Sequence, residues 1–72
     1  SYKYNMKTGW VQDGENWYYY NENGIKQTGW VTNIPGYDDA WFYFNDDGTL
    51  LTNSYTPDGF YVDENGIWIP GK

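Results

Sequence analysis

The chain has 72 residues, a formal charge of −6, and neither Cys nor His. That length allows one small core, which no disulfide and no thiolate or imidazole metal site can reinforce. Four Lys without any Arg argue against a phosphate-tracking nucleic-acid surface and an anionic membrane face, so a cationic ligand suits the balance better.

Aromatic residues make up 24% of the chain, so Trp and Tyr must supply most of the apolar surface. Both carry a polar edge and are favoured at binding surfaces. No apolar run approaches the ~18 residues of a spanning helix, so membrane insertion is not expected. The abrupt opening at Ser1-Tyr2 points to a piece of a longer protein, which could itself be an enzyme.

The chain repeats itself. Thr8-Gly9-Trp10-Val11 returns as Thr28-Gly29-Trp30-Val31. Trp17-Tyr18-Tyr19-Tyr20 returns as Trp41-Phe42-Tyr43-Phe44. A third, degraded copy reaches Phe60-Tyr61-Val62-Asp63-Glu64-Asn65-Gly66. A period of about 20 residues marks an array of small units that must stack to bury their apolar faces. The predicted organisation is a tail of a preceding repeat over 1–7, repeat 1 over 8–27, repeat 2 over 28–51, and a degenerate repeat 3 with a C-terminal cap over 52–72.

Each unit reads as a β-hairpin, and the predicted fold is an all-β solenoid of stacked β-hairpins. Trp10-Val11-Gln12 is a short strand, Asp13-Gly14 a type I′ turn signal, and Trp17 to Tyr20 the return strand. With Asp13 and Gly14 as the loop, Trp10 faces Trp17, Val11 faces Asn16, and Gln12 faces Glu15. One face then carries Trp10, Trp17 and Tyr19, and the other Val11, Tyr18 and Tyr20. In repeat 2 the split gives Trp30, Trp41 and Tyr43 against Val31, Phe42 and Phe44. The second face drifts toward plain apolar residues from copy to copy, which a core tolerates. It is therefore expected to be core, and the first face the ligand surface.

Repeat 2 carries an extra loop, Asn33 to Asp39, whose insertion at Ile34 to Asp39 is expected to bear on the second of two sites. Repeat 3 turns at Pro57-Asp58-Gly59, as a type I turn with a Gly bulge. It has Ser54 where Trp10 aligns and Gly59 where Trp17 aligns, so it donates an aromatic but builds no site of its own. Ile67 to Lys72 reads as a capping strand stopped by Pro70, and its edge around Trp68 is the candidate surface for a homodimer.

The carboxylates fall mostly in turns, where Asp serves the backbone. No nucleophile–base pair is visible, so no catalytic residue is assigned. The oxygen-rich turns lack the alternating Asp spacing and terminal Glu of a calcium loop, so no metal and no cofactor is assigned. The aromatic face is the stronger signal. Two Trp from one hairpin and an aromatic from the next could wall a cage for a quaternary ammonium group, held by cation–π attraction.

The pattern Thr8-Gly9-Trp10-Val11…Asn16-Trp17-Tyr18-Tyr19-Tyr20-Asn21…Gly24 resembles the choline-binding, or cell-wall-binding, repeat of bacterial surface proteins and cell-wall hydrolases. The resemblance implies a non-catalytic module on the extracellular bacterial surface or cell wall, holding choline groups of teichoic acids. Carried onto this chain, it implies ligand sites at Trp10, Trp17 and Tyr43, and at Trp30, Trp41 and Tyr61. Tyr43 and Tyr61 are preferred over Phe42 and Phe60 because they share a face with the Trp pairs. Similar repeats also bind carbohydrate, so a glycan, stacking on the same aromatic face, stands as the alternative ligand.

Overall fold

In a computed structural model, which describes residues 6–72, every regular element is a strand. The part of the predicted leading tail before Met6 lies outside the described residues. Six strands make three antiparallel hairpins. They are β1 (Gly9–Asp13) with β2 (Asn16–Tyr20), β3 (Gly29–Thr32) with β4 (Trp41–Phe44), and β5 (Ser54–Tyr55) with β6 (Tyr61–Val62). They follow one another along an elongated body of 53 × 24 × 18 Å.

A lone two-stranded hairpin is marginal in water, so the joints between units must carry much of the stability. The segments that read as linkers make those joints. After each return strand the chain reverses through a polar turn and bridges its own hairpin, pairing Tyr20 with Lys26, Phe44 with Leu50, and Val62 with Trp68. The same segments reach back to the preceding unit. The Leu50 N–H donates to the Trp17 carbonyl at 2.8 Å, and the Trp68 N–H to the Trp41 carbonyl at 2.9 Å. The first and last polar turns are closed by their first residue: Asn21 Oδ1 accepts from the Asn23 and Ile25 N–H groups at 2.9 and 3.0 Å, and Asp63 Oδ1 from the Asn65 and Ile67 N–H groups at 2.8 and 2.9 Å. At Gly66 (φ +81°) an added Cβ would lie 2.7 Å from the Leu50 side chain, so units approach closely here.

The register differs from the type I′ expectation. Trp10 pairs with Tyr19 and Gln12 with Trp17, while Asp13 pairs with Asn16 inside the ladder. The loop residues are Gly14 and Glu15, and of the two only Gly14 has positive φ (+63°). A glycine at the first central position suits a type II′ turn, which needs one positive φ where type I′ needs two. The pairing moves by one residue on each strand, so side-chain parity survives. Trp10, Trp17 and Tyr19 still share a face, with the two Trp diagonal rather than opposed.

Repeat 3 also differs. Tyr55, not Ser54, pairs with Tyr61 and takes the place of Trp10. The Tyr55 and Tyr61 rings stand 5.0 Å apart, as Trp10 and Tyr19 do at 5.2 Å. The cause is the five-residue loop 56–60, which shifts β5 against β6 relative to the other hairpins. Its turn matches expectation: Gly59 has φ +92°, and its N–H donates to the Thr56 carbonyl at 2.9 Å.

The largest correction concerns the two faces. Phe42 and Phe44 are buried, as the core reading requires, and so is Val62 of repeat 3, whereas Phe60, on the same face as Val62 by alternation, is 44% exposed. The supposed ligand face is not separate from this core. Trp10 of hairpin 1 packs on Phe42 and Phe44 of hairpin 2, with ring centroids 5.2 and 5.9 Å apart. The first face of each unit meets the second face of the next, so both belong to one seam. The first seam is reinforced by the insertion, whose Ile34 and Ala40 join Phe42 and Phe44 in the buried cluster. The Thr32 hydroxyl donates to the Ala40 carbonyl at 2.8 Å and closes the base of that loop.

Candidate functional site

Each seam opens into an aromatic cleft at the end where the Trp pair lies. In the first, Trp10 and Trp17 stand 6.2 Å apart at 83°; in the second, Trp30 and Trp41 stand 6.4 Å apart at 77°. Near-perpendicular rings present two walls of a corner. Trp17 and Trp41 are 38% and 40% exposed, so both corners face solvent.

The remaining walls come from the following unit. In the second cleft they are Phe60, 6.0 Å from Trp30, and Trp68, 6.0 Å from Phe60 at 89°. Four aromatic side chains, Trp30, Trp41, Phe60 and Trp68, line a cavity of ≈ 220 Å³, and no polar residue joins them. In the first cleft the residue equivalent to Phe60 is Phe42, which packs on Trp10 but is only 2% exposed. Tyr37 of the insertion lies across it, 5.4 Å from Phe42 at 90° and 6.2 Å from Trp10. Tyr37 is 43% exposed and presents the accessible ring. This first cavity, ≈ 510 Å³, is also lined by Leu50, Thr52, Glu64, Asn65 and Ile67, so it has a polar rim.

Of the residues singled out from the sequence, the structure brings together Trp10 with Trp17 and Trp30 with Trp41. Tyr43 instead packs against Trp30 of its own hairpin at 5.2 Å, and Tyr61 against Tyr55. The residues reaching the neighbouring Trp pairs are Phe42 and Phe60, one position earlier in each return strand. The insertion contributes to the first cleft, through Tyr37, rather than to the second. Trp68, read from sequence as a dimer edge, is a wall of the second cleft. Aligning the turn glycines Gly24, Gly48 and Gly66 would have found it, since Lys26, Leu50 and Trp68 then occupy one column.

The indole N–H groups of the two leading Trp differ. Trp30 Nε1 donates to Asp58 Oδ2 at 3.1 Å, whereas Trp10 Nε1 is buried without a partner among the described residues. The Thr56 hydroxyl donates to the other Asp58 oxygen. The Thr56 hydroxyl bond, followed by the Trp30 indole bond, holds the Asp58 carboxyl below the usual carboxylate value. Asp47 is lowered too, first by the Thr49 hydroxyl and then by the Thr49 N–H. Among the described residues, no group of three or more acidic side chains is placed to hold a metal ion.

Residues 7–55 match the model of the choline-binding repeat. No curated protein matches the chain at a significant level. Among solved structures, the chain is similar to choline-binding protein F (CbpF) of Streptococcus pneumoniae. They share 41% identity at a TM-score of 0.77, over 88% of this chain and 19% of that one. CbpJ of S. pneumoniae TIGR4 is 42% identical at a TM-score of 0.74, over 88% of this chain and 20% of that one. The choline-binding domain of Spr1274 from S. pneumoniae is 33% identical at a TM-score of 0.74, over 88% of this chain and 84% of that domain. The chain thus spans about a fifth of CbpF and CbpJ and most of the Spr1274 domain.

Proposed function

The chain belongs to the choline-binding repeat family, a family of binding rather than catalytic modules, and from that premise we propose that its two clefts hold choline groups of cell-wall teichoic acid. The module then anchors a longer protein at the outer surface of a bacterium. The observation that carries this reading is the second cleft, lined by aromatic side chains alone. A trimethylammonium group needs ring faces and no directed hydrogen bond, whereas a sugar hydroxyl would be left unpaired there. The relative CbpF is known in complex with ipratropium, itself a quaternary ammonium compound.

Each ring contributes roughly 0.5–2 kcal/mol of cation–π attraction. Three or four walls come to a few kcal/mol, and ~4 kcal/mol corresponds to millimolar affinity. One cleft is therefore a weak site, and retention comes from several clefts engaging a polymer that carries many choline groups.

A carbohydrate ligand is favoured by the polar rim of the first cleft at Thr52, Glu64 and Asn65 beside Tyr37, and the relative CbpF has also been crystallised in the presence of a peptidoglycan analogue, a tetrasaccharide-pentapeptide. Titrating choline and then a soluble glucan, with calorimetry for stoichiometry and tryptophan fluorescence for contact, separates the two readings. Two choline sites per chain are expected. A response to glucan alone would reverse the assignment.

A further inference from the structure

Trp30 and Phe60 are walls of one cleft, yet they belong to different repeats. One carboxylate joins them. Asp58 accepts the Trp30 indole N–H at 3.1 Å through one oxygen and the Thr56 hydroxyl through the other. Thr56 is buried, and its Oγ1 accepts the Phe60 N–H at 3.1 Å. The backbone closes the same loop, since the Thr56 N–H donates to the Phe60 carbonyl at 2.7 Å. The first cleft lacks this connection: among the described residues Trp10 Nε1 has no partner.

Resting on the reading of the second cleft as a cation site, we infer that Asp58 is a positioning and specificity-determining residue for that cleft. It fixes the Trp30 ring against Phe60, and its charge favours a cation over a neutral ligand of the same shape. Two physical effects combine. Holding both rings in the bound geometry reduces the ordering cost of binding. A negative charge on the indole N–H edge raises the attraction of the ring face for a cation by simple electrostatics. Asp58 is exposed, so solvent and salt screen the second effect and keep it modest.

Choline and its neutral carbon isostere, 3,3-dimethylbutan-1-ol, are titrated against the wild-type chain, Asp58→Asn and Asp58→Ala. The indole N–H resonances of Trp10 and Trp30 report the two clefts separately. Asp58→Asn keeps an acceptor for the indole and removes the charge. It should hold the isostere as before and lose choline affinity at the second cleft by about two- to five-fold, less in high salt. Asp58→Ala should weaken both ligands there and displace the Trp30 resonance. Unchanged choline binding at the first cleft in each variant shows that the fold persists. A choline-to-isostere ratio in Asp58→Asn equal to wild type overturns the electrostatic role. A Trp30 resonance and affinities unmoved in Asp58→Ala overturn the positioning role. Failure of the wild type to bind choline at either cleft is a separate result, which removes the cation reading itself and the specificity role with it.

Discussion

The two seams use the same repeat positions for opposite ends. At the first, Phe42 is sealed by Ile34, Ala40 and Tyr37, and serves as core. At the second, the equivalent Phe60 stands 44% exposed and lines the cleft. The accessible ring at the first seam is Tyr37 of the insertion, and at the second Trp68 joins Phe60 in lining the cleft. A repeat position thus has no fixed role. Whether its ring is buried or open to solvent depends on what the next stretch of chain lays over it.

The sharpest test of that contrast is a matched pair of truncations. Phe42→Ala should cost about 3–5 kcal/mol of stability, a cavity in the best-packed part of the molecule. Against a total stability of roughly 5–15 kcal/mol, that brings a chain of this size close to unfolding. Phe60→Ala removes a ring that is 44% exposed and should cost less, about 1–2 kcal/mol, yet weaken choline at the second cleft. Urea unfolding and choline titration of both variants check this. Equal destabilisation by the two would mean that the seams do not differ.

Next in size are the Trp walls. Trp41→Ala should remove ~1–2 kcal/mol of cation binding from the second cleft, about 5- to 30-fold in affinity, and leave the first cleft intact. Trp17→Ala should do the reverse. Site-resolved titration by indole resonances reads both, and a variant that weakened both clefts equally would show that they do not act independently.

Much of this was legible in the sequence, and the failures are instructive. The repeat, the hairpins and the Trp pairs followed from period and from turn chemistry that only a few residues satisfy. The register did not, because Asp13-Gly14 fits a type I′ turn on the pair or a type II′ turn beginning at Gly14. The face split survived that slip because parity is unchanged when both strands move by one. That Phe42 and Phe60, rather than Tyr43 and Tyr61, stand against the leading Trp of the preceding unit was not legible for a different reason. Alternation sorts side chains into two faces but does not say that, in a stack, one unit's outer face is the next unit's inner neighbour. Tyr37 was hidden because an insertion has no counterpart in the other copies, and Trp68 because it sits in a linker column.

Tyr37 gives a smaller effect with more chemical information. Tyr37→Ala should weaken choline at the first cleft several-fold with little loss of stability, since the ring is 43% exposed. Tyr37→Phe keeps the ring face and should bind choline nearly as wild type. A ligand held through the hydroxyl, as a sugar would be, should instead lose about 1 kcal/mol or more. The comparison is read by calorimetry at fixed temperature.

The smallest expected difference is a pH effect confined to one cleft. Asp58 is held below its ordinary value of 3.8, first by the Thr56 hydroxyl and then by the Trp30 indole. A carboxyl with a depressed folded-state value contributes stability that is present above the unfolded value and lost as pH falls through the folded one. From pH about 7 down to about 4.5 Asp58 therefore stays ionised, and the ratio of choline affinities at the two clefts should hold constant. Below the folded value the neutral acid no longer attracts a cation, and the second cleft should weaken relative to the first. Taking the ratio within one molecule cancels the general loss of negative charge from the other carboxylates. Choline titrations at pH about 7 and 4.5, and then at successively lower pH for as long as the fold persists, followed at the Trp10 and Trp30 indole resonances, measure it directly. A ratio already falling between the first two points would place the titrating group elsewhere than Asp58.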